Sequence, residues 1–523
     1  MKLLQKFLRM GAVAGVSAAM CGALLAQAPQ GVDPASLAQR PTTSWPTYHG
    51  DYTGDRHSPL TQINEQNVHN LSLAWAFQTG QNAFLKSSPL MVDGILYFTV
   101  PDNVWAVDAL TGRQVWHYTY HPNPGLHIGQ RGVGMYKNWI YFETPDAHLI
   151  CLDAKNGKQV WDSEIVDVNK GYWSTMAPLV VHNHVIVGVS GDFDNLRGVL
   201  KSYDPETGKL QWEFYSTPPV GTPGKSSGGM TWITGTYDPS LNLLYWGTGN
   251  PTPVLEGKTR PGDDPHTCSI LALNPDTGKL VWSFQPSPHD THDWDAVEVP
   301  VLVDGQFHGQ PRKMLLQASR NGYFFVLDRT NGKSLLTVPF GPVNWSLGVD
   351  KRGEPIPNPE KEPAQDGRLI APDEGGLNNF RSPSYDPNTS LYLVTSRPSY
   401  GIYFAKPKDG TFGWAGADYG VWSKGVLEAI DYQTGKPRWT KYLGPGGSGA
   451  GVLTTDSGLT FTADAAGNLM ALDTATGKTL WHTYGGAGVG TSPETYELNG
   501  RQYVVTGIGG VMYAFALPQQ NAQ

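Results

Sequence analysis

The clearest pattern in the chain is an apolar strand that ends at an acid or amide, a Thr-Gly or Asn-Gly turn, and a second strand that contains tryptophan. The first copy reads Ala106-Val-Asp-Ala-Leu-Thr-Gly-Arg-Gln-Val-Trp116. Glycine supplies the positive φ that a tight reversal needs, so each copy predicts a β-hairpin whose tryptophan packs between neighbouring sheets. The other copies have their acid or amide, turn glycine and tryptophan at Asp153/Gly157/Trp161, Asp204/Gly208/Trp212, Asn274/Gly278/Trp282, Asp431/Gly435/Trp439 and Asp473/Gly477/Trp481, while the copy at Asp328/Gly332 has Leu336 in place of tryptophan.

The spacing of these copies predicts the architecture. Their turn glycines lie between 42 and 103 residues apart, and one four-stranded propeller blade takes roughly 40–50 residues, so the wider gaps contain additional loops. Seven copies predict seven blades. A strand at 74–78 and the C-terminal strands at 503–506 and 511–517 predict a shared eighth blade that closes the ring and removes exposed sheet edges. The predicted fold is all-β: a single eight-bladed propeller with tryptophan-docking repeats over residues 45–518.

Composition and charge agree with such a fold. The chain has 62 Gly and 40 Pro among 523 residues, and only 16% of its residues are charged. Frequent Gly and Pro exclude a fold of long helices, and 39% hydrophobic residues exclude a disordered chain. The net charge of −8 argues against binding to nucleic acid or to anionic membranes.

The N-terminus has the order of a secretory signal: Lys2, Lys6 and Arg9, an apolar run over 11–25, and small residues at 26 and 28. We expect a signal peptide over 1–28, a flexible segment over 29–44 and a short C-terminal tail over 519–523. The apolar run is too short to span a bilayer comfortably, which takes roughly 20 residues. The sequence therefore predicts export without a membrane span, and the destination is the periplasm if the source is a Gram-negative bacterium.

Two cysteines would remain after cleavage, Cys151 and Cys268, each in an apolar strand-like run. This context favours buried free thiols, although an oxidising compartment would also permit a disulfide. The chain has no Cys-x-x-Cys-His sequence, so it carries no c-type haem of its own.

Three segments between the repeats are rich in groups without an obvious structural role. They are Gly-Thr-Gly-Asn-Pro at 247–251, Pro-His-Asp-Thr-His-Asp-Trp-Asp at 288–295 and Ser-Arg-Asn-Gly at 319–322. Loops that join propeller strands line the central channel, so we expect these segments to form a ligand site there.

The repeat, these segments and the opening residues 45–63 resemble the pyrroloquinoline-quinone (PQQ) dependent methanol and ethanol dehydrogenases, over almost the whole of residues 45–517. The repeat alone is less specific, because cofactor-free propellers of outer-membrane assembly share it. The resemblance implies PQQ beside a Ca²⁺ or lanthanide ion, oxidation of a primary alcohol or aldehyde, and transfer of electrons to a separate carrier such as a diffusible c-type cytochrome.

The resemblance also implies roles for particular residues. Asp293 matches the base that accepts the hydroxyl proton while hydride passes to the quinone C5, and Arg320 matches the arginine at the quinone oxygens. Asn250 and Asp293 match metal ligands, and Asp295 matches the additional carboxylate of lanthanide enzymes, since hard trivalent ions favour anionic oxygens. The remaining matches are contacts to the cofactor: Arg131 to a carboxylate, Trp232 as the platform under the quinone ring, and Thr175, Ser190, Gly191 and Asn379.

Several positions depart from the family pattern. Its vicinal Cys-Cys pair is replaced by Gly125-Leu126, and Phe193 stands in place of its metal-binding glutamate. Asp192 or Asp194 could replace that ligand after a local shift of backbone. The remaining departures are His292 in place of a tryptophan, Lys86 in place of a cofactor-contacting glutamate, and Met230, interpreted as a packing residue, in place of a threonine.

Each candidate also has a purely structural interpretation. Trp232 could be a core indole, Arg320 and Asn250 could anchor turns, and Asp192 and Asp194 could be surface residues. Accordingly, the sequence leaves a second hypothesis open, in which the chain is a propeller that has lost cofactor chemistry and acts as a binding or scaffold protein.

Overall fold

Almost all regular structure in the protein is β-strand. The computed structural model describes residues 31–121, 129–223, 225–406 and 413–519. The predicted signal peptide, the Gly125-Leu126 pair and residues 520–523 lie outside these ranges. Helical structure in the described ranges is limited to short 3₁₀ turns at Ser36–Ala38, Val68–Asn70, Val168–Lys170 and Pro359–Lys361. None of these is long and apolar enough to cross a membrane.

The strands form successive antiparallel sheets, which we number in chain order. In each of the first four, consecutive hairpin strands lie side by side. Their bounds are, for sheet 1, Leu90–Val92, Ile95–Val100, Asn103–Asp108 and Gln114–Thr119; for sheet 2, Gly134–Tyr136, Trp139–Glu143, His148–Asp153 and Gln159–Glu164; for sheet 3, Leu179–Val181, His184–Val187, Val199–Tyr203 and Leu210–Tyr215; and for sheet 4, Thr236–Asp238, Leu243–Gly247, Ile270–Leu273 and Leu280–Phe284.

The second half of the chain continues in the same way, and its last sheet takes a strand from the N-terminal region. The bounds are, for sheet 5, Val301–Phe307, Gln310–Ala318, Tyr323–Asp328 and Lys333–Pro339; for sheet 6, Ser384–Asp386, Leu391–Ser396, Gly416–Asp431 and Lys436–Pro445; for sheet 7, Leu453–Thr455, Leu459–Ala463, Asn468–Asp473 and Thr479–Tyr484; and for sheet 8, Glu494–Leu498, Arg501–Ile508, Val511–Ala516 and Ser72–Gln78. Ser72–Gln78 pairs with Val511–Ala516, so both ends of the chain contribute to sheet 8.

Shorter strands extend this arrangement. His57–Ser58 runs parallel to Leu453–Thr455 at the edge of sheet 7. The others are antiparallel: Ser227–Gly228 pairs with Pro251–Thr252, Ser346–Val349 with Pro355–Pro357, and Ser399–Ala405 with both Arg368–Ile370 and Gly416–Asp431. The wide gap between the repeat copies at Gly332 and Gly435 therefore contains short hairpins.

In the described part of the chain, tryptophans connect six of the eight sheets to the next one. The Trp116 indole donates a hydrogen bond to the Ala154 carbonyl in the next repeat (2.8 Å), and a Cβ on Gly157 would lie 2.7 Å from that indole. This turn has no space for a side chain, and its positive φ also favours glycine. Equivalent indole-to-carbonyl bonds are made by Trp75, Trp161, Trp212, Trp282 and Trp439.

Apolar side chains of adjacent sheets make up the core. One cluster spans sheets 1 to 4, and another joins sheets 7, 8 and 1. Cys151 and Cys268 are both buried and free, so the interpretation as buried thiols is confirmed. The contacts between sheets are made by apolar side chains and tryptophans. The loops that join the strands are therefore available to carry the residues of a site.

Candidate active site

Arg320 lies among carboxyl groups that come from separate loops. Its Nη2 is 2.6 Å from Asp293 Oδ2 and 2.5 Å from Glu374 Oε1, and its Nη1 is 3.6 Å from Asp295 Oδ2. Its Nε donates to the Glu374 carbonyl at 2.9 Å. The Glu374 carbonyl and the carboxyl groups together hold the guanidinium in one orientation. The interpretation of Arg320 as a simple turn anchor does not account for these contacts.

Burial determines the electrostatics of these acids. It raises the pKa of Asp293 well above its ordinary value, against the attraction of Arg320, and it also raises the pKa of Asp295. Burial and the nearby Asp295 raise the pKa of Asp192 to about 6, so the Asp192 side chain is part of the same electrostatic environment. For Glu374 burial is the largest single effect, but Arg320, the hydrogen bond with Asp293 and Arg397 together outweigh it and lower the pKa.

We call Asp192, Asp293, Asp295 and Glu374, together with Arg320, the acidic cluster. Three of these carboxyl groups lie within 3.6 Å of the guanidinium and Asp192 interacts with it electrostatically, so the cluster would be negative overall when its acids are ionised. Burial makes such an excess of charge unfavourable unless a cation compensates it.

The Asp293 loop is held by its own residues. Asp290 Oδ2 accepts hydrogen bonds from the backbone N–H groups of His292 (3.3 Å), Asp293 (2.9 Å) and Trp294 (3.2 Å). Asp293 itself has a φ of 67°, a conformation uncommon for residues other than glycine and often found at functional sites. His292 stacks on Trp294, with ring centroids 4.3 Å apart, and burial lowers the pKa of His292 to about 4. The ring therefore packs as a neutral group.

Asp295 links the acidic cluster to Trp232 and Asn250. The Trp232 Nε1 donates to Asp295 Oδ2 at 2.7 Å, and the Asn250 backbone N–H donates to Asp295 Oδ1 at 2.6 Å. The Asn250 Nδ2 donates a hydrogen bond to the Pro251 carbonyl at 3.1 Å. The side-chain amide oxygen is therefore the atom of this residue that could bind a cation. Trp232 is half-buried and donates its hydrogen bond to Asp295, so it differs from an indole enclosed in the core.

Arg131 lies over the face of the Trp232 ring. Its guanidinium carbon is 4.9 Å from the centre of the Trp232 ring, and its Nη1 donates to Thr175 Oγ1 at 2.6 Å. The Thr175 and Ser190 hydroxyls are 3.4 Å apart. Burial lowers the pKa of Arg131 to about 10. Arg131, Thr175, Ser190 and Trp232, all predicted to contact a cofactor, are therefore in one place.

Two further cations join Arg131 around the Phe380 ring. The ring centre is 5.4 Å from the Arg131 guanidinium carbon, 5.3 Å from that of Arg381 and 6.0 Å from Lys86 Nζ. We call Lys86, Arg131 and Arg381, together with Phe380, the basic cluster. Both clusters contact Trp232, the basic cluster at the ring face through Arg131 and the acidic cluster at Nε1 through Asp295, so the site has a positive and a negative end.

The other residues singled out in the sequence have structural roles. Phe193 packs against Gly171, where a Cβ would lie 2.6 Å from its ring, and Met230 is buried in the same apolar cluster. Gly191 is in close contact with Leu196, where a Cβ would lie 2.6 Å from the leucine Cδ1. Met230 is thus a packing residue, as predicted.

Asp194 and Asn379 make no contact with the acidic cluster in the bonds described. Asp194 lines a cavity of about 690 Å³ between sheets 2 and 3, together with Lys170 and Tyr172. The Asn379 side chain has local bonds only: its Nδ2 donates to the Gly375 carbonyl at 3.5 Å, and its Oδ1 accepts from the Phe380 N–H at 2.8 Å. Of the two aspartates proposed to replace the missing glutamate, Asp192 is the one near Asp295.

The site fits a ligand with carboxylates at one end and a metal ion at the other. The basic cluster offers positive charge, and Arg131 Nε is buried without a hydrogen-bond partner. The acidic cluster offers hard oxygen donors and excess negative charge. Across the described residues, however, no three histidine, cysteine, aspartate or glutamate side chains form a ready-made metal site, because Arg320 lies between the carboxyl groups.

Three residues of the site were missed by sequence analysis: Glu374, Phe380 and Arg381. Their signal was present in the sequence, since 373–381 reads Asp-Glu-Gly-Gly-Leu-Asn-Asn-Phe-Arg. Only Asn379 was chosen there, because the family pattern pointed to it. A charged and aromatic loop between two repeat hairpins was a reason to consider its neighbours.

The chain is similar to known dehydrogenases along most of its length. A family model described as the β-propeller domain of glucose, ethanol and alcohol dehydrogenases that use PQQ matches residues 45–351, and one described as outer membrane protein assembly factor BamB matches residues 423–518. Quinohemoprotein alcohol dehydrogenase ADH IIB of Pseudomonas putida is 35% identical over 93% of this chain and 77% of its own length.

Two solved structures share the fold. The quinohemoprotein alcohol dehydrogenase of Comamonas testosteroni superposes with a TM-score of 0.87 at 32% identity, covering 95% of this chain and 84% of the other. A europium-containing methanol dehydrogenase superposes with a TM-score of 0.85 at 29% identity, covering 92% and 99%. The all-β propeller fold predicted from the repeat is confirmed at this level.

Proposed function

The chain belongs to the family of PQQ-dependent alcohol dehydrogenases, and from this premise we propose that it oxidises a primary alcohol or aldehyde with PQQ and a Ca²⁺ or lanthanide ion. The observation that supports this best is the arrangement around Trp232, whose ring face contacts Arg131 and whose Nε1 donates a hydrogen bond to Asp295. A flat aromatic surface with cations at one end and carboxylates at the other suits a flat polycarboxylate that binds beside a metal ion.

The residues of the acidic cluster are placed for proton transfer from an alcohol. When bound, PQQ supplies the acceptor for the two electrons of the reaction. Asp293 is the proposed base: burial raises its proton affinity, and the bond of 2.6 Å to Arg320 fixes the direction of its carboxylate. Arg320 provides positive charge where negative charge would develop on oxygen. Asn250, Asp293, Asp295 and Asp192 are the residues proposed to hold the metal ion.

The finer features of the architecture and of the cell biology belong to the same proposal. We propose that the sheets are the eight blades of one propeller over residues 45–518, with tryptophan docking between blades. The bonds of Trp116 and its equivalents, and the shared strands of sheet 8, support this. We also propose export to the periplasm and transfer of electrons to a diffusible acceptor such as a c-type cytochrome.

Reconstitution tests the proposed function directly. The purified protein is loaded with PQQ in the presence of Ca²⁺ or La³⁺, and oxidation of short primary alcohols is followed with an artificial electron-accepting dye. The proposal expects turnover that requires both PQQ and metal. Bound PQQ without any turnover on alcohols or aldehydes would reject it.

The second hypothesis, a binding or scaffold propeller, is favoured by one substitution and one match. Phe193 is partly buried against an apolar cluster and its side chain has no ligand atom, and residues 423–518 match an assembly-factor model. That hypothesis expects no binding of PQQ under any metal condition, so the same reconstitution distinguishes the two.

A further inference from the structure

The basic cluster concentrates positive charge around a single ring. Lys86, Arg131 and Arg381 come from three distant parts of the chain, yet all three lie within 6.0 Å of the centre of the Phe380 ring. Phe380 and Trp232 pack together against Ile233 and its apolar neighbours, so the cations lie over an aromatic and apolar surface.

Arg131 differs from the other buried arginines. Arg56, Arg260, Arg320 and Arg329 each form an ion pair with a carboxylate, on Glu494, Asp264, Asp293 and Asp238 respectively. Among the described residues, Arg131 has no such partner, and its side chain donates only to Thr175. A buried cation without a counter-charge is unfavourable, so a site of this kind is expected to receive an anion.

Arg381 repeats this situation. Within the described ranges it forms no ion pair, and its Nε is buried without a hydrogen-bond partner. Burial and the neighbouring Arg397 lower the pKa of Arg381 to about 10, and burial and Arg131 lower the pKa of Lys86. Neighbouring cations that destabilise one another would be stabilised together by a ligand with several negative charges.

We propose that Lys86 and Arg381, together with Arg131, bind the carboxylates of an aromatic polycarboxylate. If the proposed function is right, this ligand is PQQ, which has three carboxylates, and the basic cluster offers one cation for each. Lys86, which departs from the family pattern as a cation in place of an acid, then adds an ionic contact to the cofactor. Arg381 adds another.

The test compares PQQ with its neutral trimethyl ester as probes. Both are titrated into the purified protein with Ca²⁺, and quenching of tryptophan fluorescence is followed for the wild type and for Lys86→Met and Arg381→Met. Lys209→Met, which removes an exposed lysine of a repeat turn, is the matched control. Each variant of the cluster is expected to weaken PQQ binding about ten-fold, the effect of one charge-assisted contact, and to change ester binding less than about two-fold.

Four outcomes are decisive. Unchanged PQQ affinity in both variants would overturn the inference and leave the proposed function intact, and so would equal affinity of the wild type for PQQ and its ester. If the wild type binds no PQQ at all, the proposed function fails, and benzene-1,3,5-tricarboxylate becomes the probe. Binding of that tricarboxylate that is weakened by Lys86→Met and Arg381→Met would still support the cluster, and no binding would overturn it.

Discussion

The two ends of the site are built from opposite charge and are stabilised in opposite ways. In the acidic cluster, Arg320 lies within 3.6 Å of three carboxyl groups and bonds directly to Asp293 and Glu374. In the basic cluster, three cations surround Phe380, and Arg131 has no carboxylate within ion-pair distance in the described part of the chain. The acidic end therefore contains an internal counter-ion, whereas Arg131 at the basic end has none among the described residues.

This difference suggests a division of labour. A guanidinium fixed by several acids keeps its position during a reaction, which suits proton transfer and stabilisation of developing charge. Cations over an aromatic surface suit a ligand that stays bound. Trp232 contacts both ends, through the Arg131 guanidinium over its ring and through its hydrogen bond of 2.7 Å to Asp295.

The largest effect is expected at the acidic end. Asp293→Asn removes the proposed base and should lower kcat about 10²–10⁴-fold, the usual contribution of a general base. At a saturating metal concentration PQQ affinity should change little, because the basic cluster is intact. Steady-state kinetics and PQQ titration of the same preparation measure both quantities. Turnover equal to that of the wild type would show that another group accepts the proton.

Asp295→Ala should separate the two kinds of metal ion. Asp295 accepts hydrogen bonds from Trp232 and from the Asn250 N–H, and it adds an anionic oxygen to the acidic end. Its removal should weaken La³⁺ binding about 100-fold and Ca²⁺ binding about ten-fold, because the trivalent ion depends more on anionic oxygens. Metal titrations of the PQQ-loaded protein measure this, and equal losses would contradict the special role of Asp295.

Glu374→Gln tests whether this acid positions Arg320. Glutamine keeps the size and the carbonyl contact of the backbone, but it removes the charge that Arg320 Nη2 contacts at 2.5 Å. We expect kcat to fall about ten-fold with little change in KM, since an ionic hydrogen bond contributes roughly 1.5–3 kcal/mol. Glu374→Asp should restore part of the activity. Glu360→Gln, at an exposed 3₁₀ turn, is the control. A change in KM alone would mean that Glu374 contacts substrate.

The smallest effect concerns stability at mild acid. Burial lowers the pKa of His292 to about 4, while an unfolded histidine has a pKa of about 6.5. Below pH 6.5 the unfolded chain therefore binds a proton that the folded ring does not, and stability falls as the pH decreases toward 4. Between pH 7 and pH 5.5 this costs about 1 kcal/mol. Urea unfolding should show a smaller loss for His292→Gln, and an identical pH dependence would contradict the assignment.

Sequence analysis was most successful where structure is local. Each repeat specifies a turn, and Gly157 shows why: the indole of Trp116 leaves no space for a Cβ there. The repeat copy with Leu336 in place of tryptophan leaves just as little space at the next turn. A Cβ on Gly435 would meet Val338 and Leu336 instead of an indole. Propensity, turn chemistry and packing agree at these positions.

The site was predictable only in part. Asp293, Asp295 and Arg320 were found through family motifs, and they do lie together. The family pattern pointed to Arg131 and to Lys86 as a departure, but it did not show that they meet Arg381, because residues 86, 131 and 381 are brought together only by the packing of separate sheets and loops. No spacing in the sequence encodes that contact.

The central claim is that the basic and acidic clusters, which both contact Trp232, together bind PQQ and a metal ion. Titration of the purified protein with PQQ, in parallel with Ca²⁺ and with La³⁺, tests it most directly through quenching of tryptophan fluorescence. The account predicts saturable quenching that requires a metal ion. Absence of quenching with both ions would contradict the claim and favour a propeller without cofactor chemistry.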